Sequence, residues 1–166
     1  MLWLTGLSGA GKSTLADRIY EFLNKKGLSA EKLDGDILRG LFPSTGFTRV
    51  QRDEHIKRVG FMASILEKHG VIVVASFISP YRQARRFVRD LCSNFIEVYV
   101  QAPLEVCEKR DVKGLYTKAR AGHIKNFTGL DDPYEEPQNP EIIVKTDEQN
   151  VDESISVITD FIAKYL

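Results

Sequence analysis

Hydrophobic positions along this chain fall into five short runs, each followed by a stretch with helical periodicity. Leu2, Trp3 and Leu4 end abruptly in a glycine-rich turn. Leu15, Ile19, Phe22 and Leu23 then recur at helical spacing, and Lys25-Lys26-Gly27 supplies a basic last turn and a glycine stop. Ala30 to Leu33 predicts a second strand running into Asp34-Gly35-Asp36. Ile56, Val59, Ala63 and Leu66 share one face of a helix that His69-Gly70 closes. Val71 to Ala75 is continuously apolar and β-branched, as a strand buried on both faces of a parallel sheet must be. Pro80 is placed to open the next helix at its first position, running to about Leu91. Phe95 to Val100 reads as a strand, followed by Pro103 and a short helix to about Lys109. Ile142 to Val144 is the last strand. Val151, Ile155, Ile158, Ile162 and Tyr165 stripe a final helix whose start carries Asn150 and Glu153 as a capping box. Parallel strands need such crossovers, so the pattern predicts an α/β fold: a three-layer α/β/α sandwich on a five-stranded parallel sheet, in one domain spanning 1–166.

The periodicity lapses between 110 and 140, where Gly114, Gly122, Gly129, Pro133, Pro137 and Pro140 fall. A structureless span that long inside a compact domain usually has a function. Residues 109–125 hold six basic side chains (Lys109, Arg110, Lys113, Lys118, Arg120, Lys125) against the single acid Asp111. The span reads as a mobile basic lid over phosphates rather than a solvated loop neutralised by the following Asp131, Asp132, Glu135 and Glu136. Over the whole chain the charges cancel, 23 Lys+Arg against 23 Asp+Glu, which removes the global field of a non-specific nucleic-acid binder. No apolar run approaches the roughly 18 residues that span a bilayer. The start, Met1-Leu2-Trp3-Leu4-Thr5-Gly6, has neither a basic region nor a small-residue cleavage site. Cys92 and Cys107 sit in helical segments and read as core thiols, so a cytoplasmic location is expected. Arg82, Arg85, Arg86 and Arg89 share a helical face and read as solvated surface.

Gly6-Leu7-Ser8-Gly9-Ala10-Gly11-Lys12-Ser13, with Thr14 after it, matches G-x-x-x-x-G-K-[ST] between a predicted strand and a predicted helix. Glycines let successive backbone N–H groups turn into a concave nest, and the helix aims its positive end at the same place. Lys12 would bridge β- and γ-phosphates, and the Ser13 hydroxyl would ligate Mg²⁺. The buried strand Val71–Ala75 ends in Ser76, without the carboxylate that many such proteins place there. Asp34-Gly35-Asp36 at the carboxyl end of the second strand is the nearest substitute. One carboxylate can organise magnesium while the other orients or deprotonates a hydroxyl. No N-K-x-D guanine-reading motif occurs, which favours ATP and an acceptor kinase over a switch GTPase.

These residues resemble the adenylylsulfate kinase family. The resemblance rests on the cradle, Leu33-Asp34-Gly35-Asp36, Ser76-Phe77-Ile78-Ser79-Pro80-Tyr81-Arg82, Arg110-Asp111-Val112-Lys113-Gly114-Leu115-Tyr116 and Phe127-Thr128-Gly129-Leu130-Asp131-Asp132-Pro133-Tyr134. It implies a P-loop kinase, often a homodimer, that transfers the γ-phosphoryl group of ATP to the 3′-hydroxyl of adenosine 5′-phosphosulfate (APS), giving PAPS and ADP. By resemblance Asp36 is the base or hydroxyl-orienting group, with Asp34 in the metal network and Lys12 catalytic. Arg39 and Arg52 hold the phosphosulfate, and Phe47 and Phe127 sandwich the acceptor adenine. Ile78 and Ser79 line the acceptor pocket, Arg110 packs on the ATP adenine and Lys113 is a lid cation near both substrates. Where the family usually has Asn, this chain has Ile37 after the second aspartate and His55 three residues beyond Arg52. The chain starts almost directly with its first strand, as would a short stand-alone form or the kinase part of a fusion with ATP sulfurylase. A kinase for another small hydroxyl, or a non-catalytic nucleotide-binding domain of such a fusion, are the rival readings.

Overall fold

The first apolar run becomes β1 (Leu2–Thr5), and the helix after the glycine-rich turn is α1 (Lys12–Lys25). In the computed structural model, which describes residues 1–42 and 46–166, the chain continues as β2 (Ala30–Asp34), α2 (Gly35–Leu41), α3 (Arg49–Lys68) and β3 (Ile72–Ser76). It ends with α4 (Arg82–Leu91), β4 (Ile96–Gln101), α5 (Leu104–Arg110), α6 (Leu115–Arg120), β5 (Ile142–Lys145) and α7 (Val151–Ile162). The strands form one parallel sheet in the order β2-β3-β1-β4-β5. The chain runs from central β1 to the edge strand β2, returns to β3 between them and then crosses to β4 and β5 on the far side, so a crevice opens at the carboxyl ends of β1 and β3, where open α/β sheets bind ligands.

Alternation along the strands splits the core in two. Leu2 and Leu4 face α1 and α7, meeting Leu15, Ile19, Leu23, Ile158 and Ile162. Met1 and Trp3 face the other way, toward Ile56, Val59 and Ala63 of α3 and Ala84 and Val88 of α4. The capping box of α7 forms as expected, with Asn150 accepting from the Glu153 amide at 2.9 Å and Glu153 from the Asn150 amide at 2.8 Å. Among the described residues no helix is long and apolar enough to cross a membrane.

Three expectations need correction. Pro80 does not open α4: the helix starts at Arg82 with Tyr81 as its extended N-cap, and the Pro80 carbonyl accepts from the Glu135 amide at 2.8 Å. The span 110–140 is not structureless, because it contains α6. Its helix is capped from a distance by Asp111, whose carboxylate accepts the amides of Tyr116 at 2.9 Å and Thr117 at 3.0 Å. The arginine face of α4 is not simply solvated. Arg85 is 3% exposed, and Arg89 grips Glu141 with two bonds of 2.7 and 2.8 Å, leaving Arg82 and Arg86 as the exposed members. Carboxylates from β4 (Glu97) and from the residue ahead of β5 (Glu141) are what draw those guanidinium groups inward.

α3 and α4 touch at Gly60, where an added Cβ would stand 2.5 Å from Cγ2 of the buried Val88. Overpacking of this kind costs about 1–3 kcal/mol, against about 1 kcal/mol that Ala gains over Gly inside a helix. Gly60→Ala should therefore lower Tm by about 2–4 °C. In a Val88→Ala background the same change should leave Tm level or raise it. Equal effects in the two backgrounds, measured by thermal unfolding, would rule out this contact.

Candidate active site

The turn after β1 is held shut by sterics. Gly6 has φ 156°, and a Cβ there would lie 2.3 Å from the Val100 carbonyl of β4. Gly11, the N-cap of α1, is left-handed at φ 97°. Between them the backbone wraps into a concave loop at the start of a fourteen-residue helix, the geometry that grips phosphate. Ser8, Gly9, Gly11, Lys12, Ser13 and Thr14 line a cleft of about 480 Å³. Other members of the motif serve the loop itself: Ala10 is fully buried, and Leu7 lines a separate hollow of about 730 Å³ shared with residues of β4 and the 129–136 segment. Lys12 donates to the Leu7 carbonyl at 2.7 Å, and burial pushes its pKa down to about 8.

Across the cleft β2 ends at Asp34, which caps α2. One oxygen of its carboxylate accepts the Asp36 amide at 2.9 Å, and the other accepts the Ser13 hydroxyl at 3.2 Å. Asp36 projects from the first turn of α2 and is ion-paired with Lys113, which reaches over from the lid. Both partners are more than half exposed, so the pair is weak and exchangeable.

Cations line the neighbouring wall. Arg39 donates to the Gly46 carbonyl at 2.9 Å and lies 4.7 Å from the ring centre of the half-exposed Phe47. Arg52 is buried at 6% exposure. It donates to the carbonyl of Phe47 (2.8 Å), the hydroxyl of Thr128 (2.6 Å) and the carbonyl of Asn126, tying α3 to the lid. His55, one turn on, is 1% exposed, and neither ring nitrogen has a hydrogen-bond partner. Its ring meets Phe42 and Phe77 edge-on, both at 6.0 Å. Burial, reinforced by Arg39 and Arg58, lowers its pKa to about 4. Ser76 Oγ, at the end of β3, is likewise buried without a partner at the same cleft.

Ile78 and Ser79 form the floor beyond β3, with Ser79 at φ 40°. Arg110 donates to the Gly9 carbonyl at 3.2 Å and twice to Thr146, bracing the back of the cradle. Phe127 departs from its expected setting. It lines the cleft, but at 7% exposure it is also core, set edge-on to Tyr116 at 4.9 Å. The Asp131 carboxylate folds the chain back by accepting the Asn126 and Phe127 amides, and that turn drives the ring inward. Every residue singled out from the sequence as a ligand of phosphate, metal or acceptor thus surrounds this cleft or braces its loop. Sequence reasoning missed Tyr116, whose hydroxyl donates to the Ser8 carbonyl at 2.9 Å, and Thr146, whose hydroxyl donates to Ala10 at 2.8 Å. Thr146 carries no local pattern, and Tyr116 closes the Arg110–Tyr116 block without its contact to the cradle being readable from it. It also missed Arg85, for which Glu97 inside an apolar strand was a usable signal.

Residues 1–145 match the model of the family Adenylylsulphate kinase. The chain belongs to that family. An adenylyl-sulfate kinase of Synechococcus sp. (strain JA-3-3Ab) is 56% identical over 158 residues, covering 95% of this chain and 90% of the relative. One from Halothermothrix orenii is 54% identical over 162 residues, covering 97% and 88%. Among solved structures, the Mycobacterium tuberculosis APS kinase in complex with AMPPNP and APS superposes with a TM-score of 0.93 at 41% identity, covering 98% of this chain and 96% of that one. A gluconokinase from Sinorhizobium meliloti, with TM-score 0.69 at 18% identity, shares the fold alone. The expected fold of an adenylylsulphate kinase, a three-layer P-loop sandwich with a five-stranded parallel sheet, is the one observed.

His55 sets a pH signature on this adenylylsulphate kinase. Its imidazole titrates near 6.5 when unfolded and about 4 when folded, so the unfolded chain binds more protons between those values. Stability linked to His55 is complete above pH 6.5 and is lost as pH falls toward 4. Relative to the parent, His55→Asn should gain up to about 3 kcal/mol between pH 7 and pH 4. Urea unfolding at several pH values checks this, and parallel stability curves would contradict it.

Proposed function

We propose that this chain transfers the γ-phosphoryl group of Mg·ATP to the 3′-hydroxyl of APS, giving PAPS and ADP. The observation that carries the reading is the meeting, in one cleft, of the phosphate cradle, the Asp34–Asp36 corner and two arginines. Backbone amides of the cradle and the N-terminus of α1 hold the triphosphate. Lys12, now resting on the Leu7 carbonyl, turns to the β- and γ-phosphates, and Arg110 packs against the ATP adenine. Ser13 and Asp34 present two hard oxygen donors 3.2 Å apart. That is a fitting protein share for Mg²⁺, which keeps water and phosphate oxygens for its remaining positions. When bound, Mg²⁺ neutralises charge on the β- and γ-phosphates.

Asp36 orients the attacking hydroxyl and takes its proton once Lys113 leaves it for phosphate. Arg39 and Arg52 suit the divalent phosphosulfate because guanidinium groups bind such anions with two parallel bonds. Phe47 supplies an open aromatic face for the adenine, with Phe127 closing the other side from its more buried position. His55 contributes one N–H donor, and Ile78 and Ser79 shape the pocket floor. Most of the rate comes from positioning and charge stabilisation. Exposed Phe61 and Ile65 on α3 and Phe87 on α4 offer an apolar face for a homodimer. The two free thiols accord with the cytoplasm, and ATP sulfurylase is the partner the family resemblance adds.

Mixing the protein with ATP, Mg²⁺ and APS should yield PAPS by mass spectrometry; ADP release with a nucleoside or sugar but not with APS would overturn the assignment. Lys12→Ala should abolish turnover with little change in Tm, and near-full activity would refute the cradle's role. Asp36→Asn should lower kcat by about 10²–10⁴ while the KM for ATP moves far less. A variant that keeps a tenth or more of parental kcat would exclude Asp36 as the base.

A further inference from the structure

We infer that Arg85 is a positioning residue for the acceptor: its buried guanidinium joins the pocket floor at Ile78–Ser79 to the lid stem at Tyr134–Glu136. The inference deepens the acceptor reading above and rests on it. Arg85 stands on α4, away from the cleft, and three of its donors go to three separate segments. Nε donates to Glu97 of β4 at 2.7 Å, Nη1 to the Ser79 carbonyl at 2.6 Å and Nη2 to the Glu135 carbonyl at 2.6 Å. Its guanidinium also lies 5.8 Å from the ring centre of Tyr134.

A purely structural ion pair would need only the carboxylate. Here Glu97 aims the fork, and the other two bonds hold backbone. One of those carbonyls belongs to Ser79, a non-glycine residue in left-handed conformation at φ 40°. Such backbone persists only where its surroundings over-determine it. The Ser79 hydroxyl is itself fixed, accepting from Trp3 Nε1 at 3.0 Å and donating to Thr5 Oγ1 at 3.0 Å. Thr5 in turn donates to the Ile78 carbonyl at 2.7 Å and meets the Tyr134 hydroxyl at 2.9 Å. The Glu135 amide closes the circuit on the Pro80 carbonyl at 2.8 Å. Floor and lid stem are therefore one body, with Arg85 its central tie. The bonds Arg85 itself makes end on Glu97, Ser79 and Glu135, none of them in the Gly6–Thr14 cradle, so acceptor binding should feel its loss far more than ATP binding. Lysine would keep the charge beside Glu97 but cannot span two diverging carbonyls.

The test varies APS and ATP separately. Arg85→Lys should raise the KM for APS about tenfold, with the KM for ATP within twofold. Both KM values rising together would mark a general loosening and overturn the assignment, as would an unchanged KM for APS. Should Arg85→Lys fail to fold, Arg85→Gln with Glu97→Gln removes the tie without stranding a buried charge, and the same split is read from it. Hydrogen exchange on the parent needs neither variant nor turnover. The amides of Ser79, Tyr81, Glu135 and Glu136 should open at a common rate, and APS should slow them together while leaving residues 6–14 unaltered. Independent opening of the two segments would overturn the proposal. If the parent makes no PAPS, the acceptor reading falls, whereas the common opening rate stands or falls separately.

Discussion

Backbone grips a triphosphate well where a buried strand turns straight into a helix, and that turn is too tight for a side chain at its first residue. At Gly6 the space a Cβ would need is already taken by the Val100 carbonyl, so β4 presses the loop into shape from behind. The whole site inherits this constraint. With β1 central in the sheet, its neighbours β3 and β4 must end level with it, and β2 ends beside β3. Asp34, Ser76 and Gly6 consequently arrive on one edge of the sheet without any loop being stretched to bring them there.

In this cleft the cations rest on backbone carbonyls. Lys12 holds Leu7, Arg39 holds Gly46, Arg52 holds Phe47 and Asn126, and Arg110 holds Gly9 and Thr146. Bonds from a charged donor to a neutral carbonyl satisfy the donor, yet they are weaker than bonds to an anion. An anion offered to these cations is therefore a stronger partner than the carbonyl it replaces. Burial adds to the bias, since it disfavours the protonated form of Lys12 until an anion arrives. Lys113 does the same thing with a carboxylate. It covers Asp36, and on the proposed reading a phosphate that attracts it would uncover the base.

How much of this was legible in the sequence depended on the length scale of the signal. β3 and α7 could be read because a β-branched run and a four-turn apolar stripe repeat the same information several times. The helix α2 could not, because only Leu38 of its seven residues is buried, and its start is set by the Asp34 cap rather than by periodicity. α6 is shorter still, and its cap, Asp111, lies several residues away in a left-handed turn. The cradle and the acidic corner were legible because their chemistry is local. Arg85 was misread because the reason for its burial sits on other strands: a stripe of arginines looks solvated until the carboxylates opposite are known.

The segment proposed as a lid is fastened at its two ends to different walls of the cleft. Its first part, from Arg110 to Tyr116, bonds to the Gly9 and Ser8 carbonyls of the cradle. Its second part, from Asn126 to Glu136, is held by Arg52 and Arg85 and by Tyr81, whose hydroxyl donates to Asp132 at 2.6 Å. A ligand that moves Lys12 and Lys113 therefore acts on the first part, and one that engages Arg52 acts on the second. On the proposed reading, full closure over the γ-phosphate requires both halves to settle. Water, which could otherwise accept the phosphoryl group, would then be excluded only when the acceptor is already in place. In that proposed arrangement, selectivity against hydrolysis would come from where the lid is tied, with no need for a residue that recognises water.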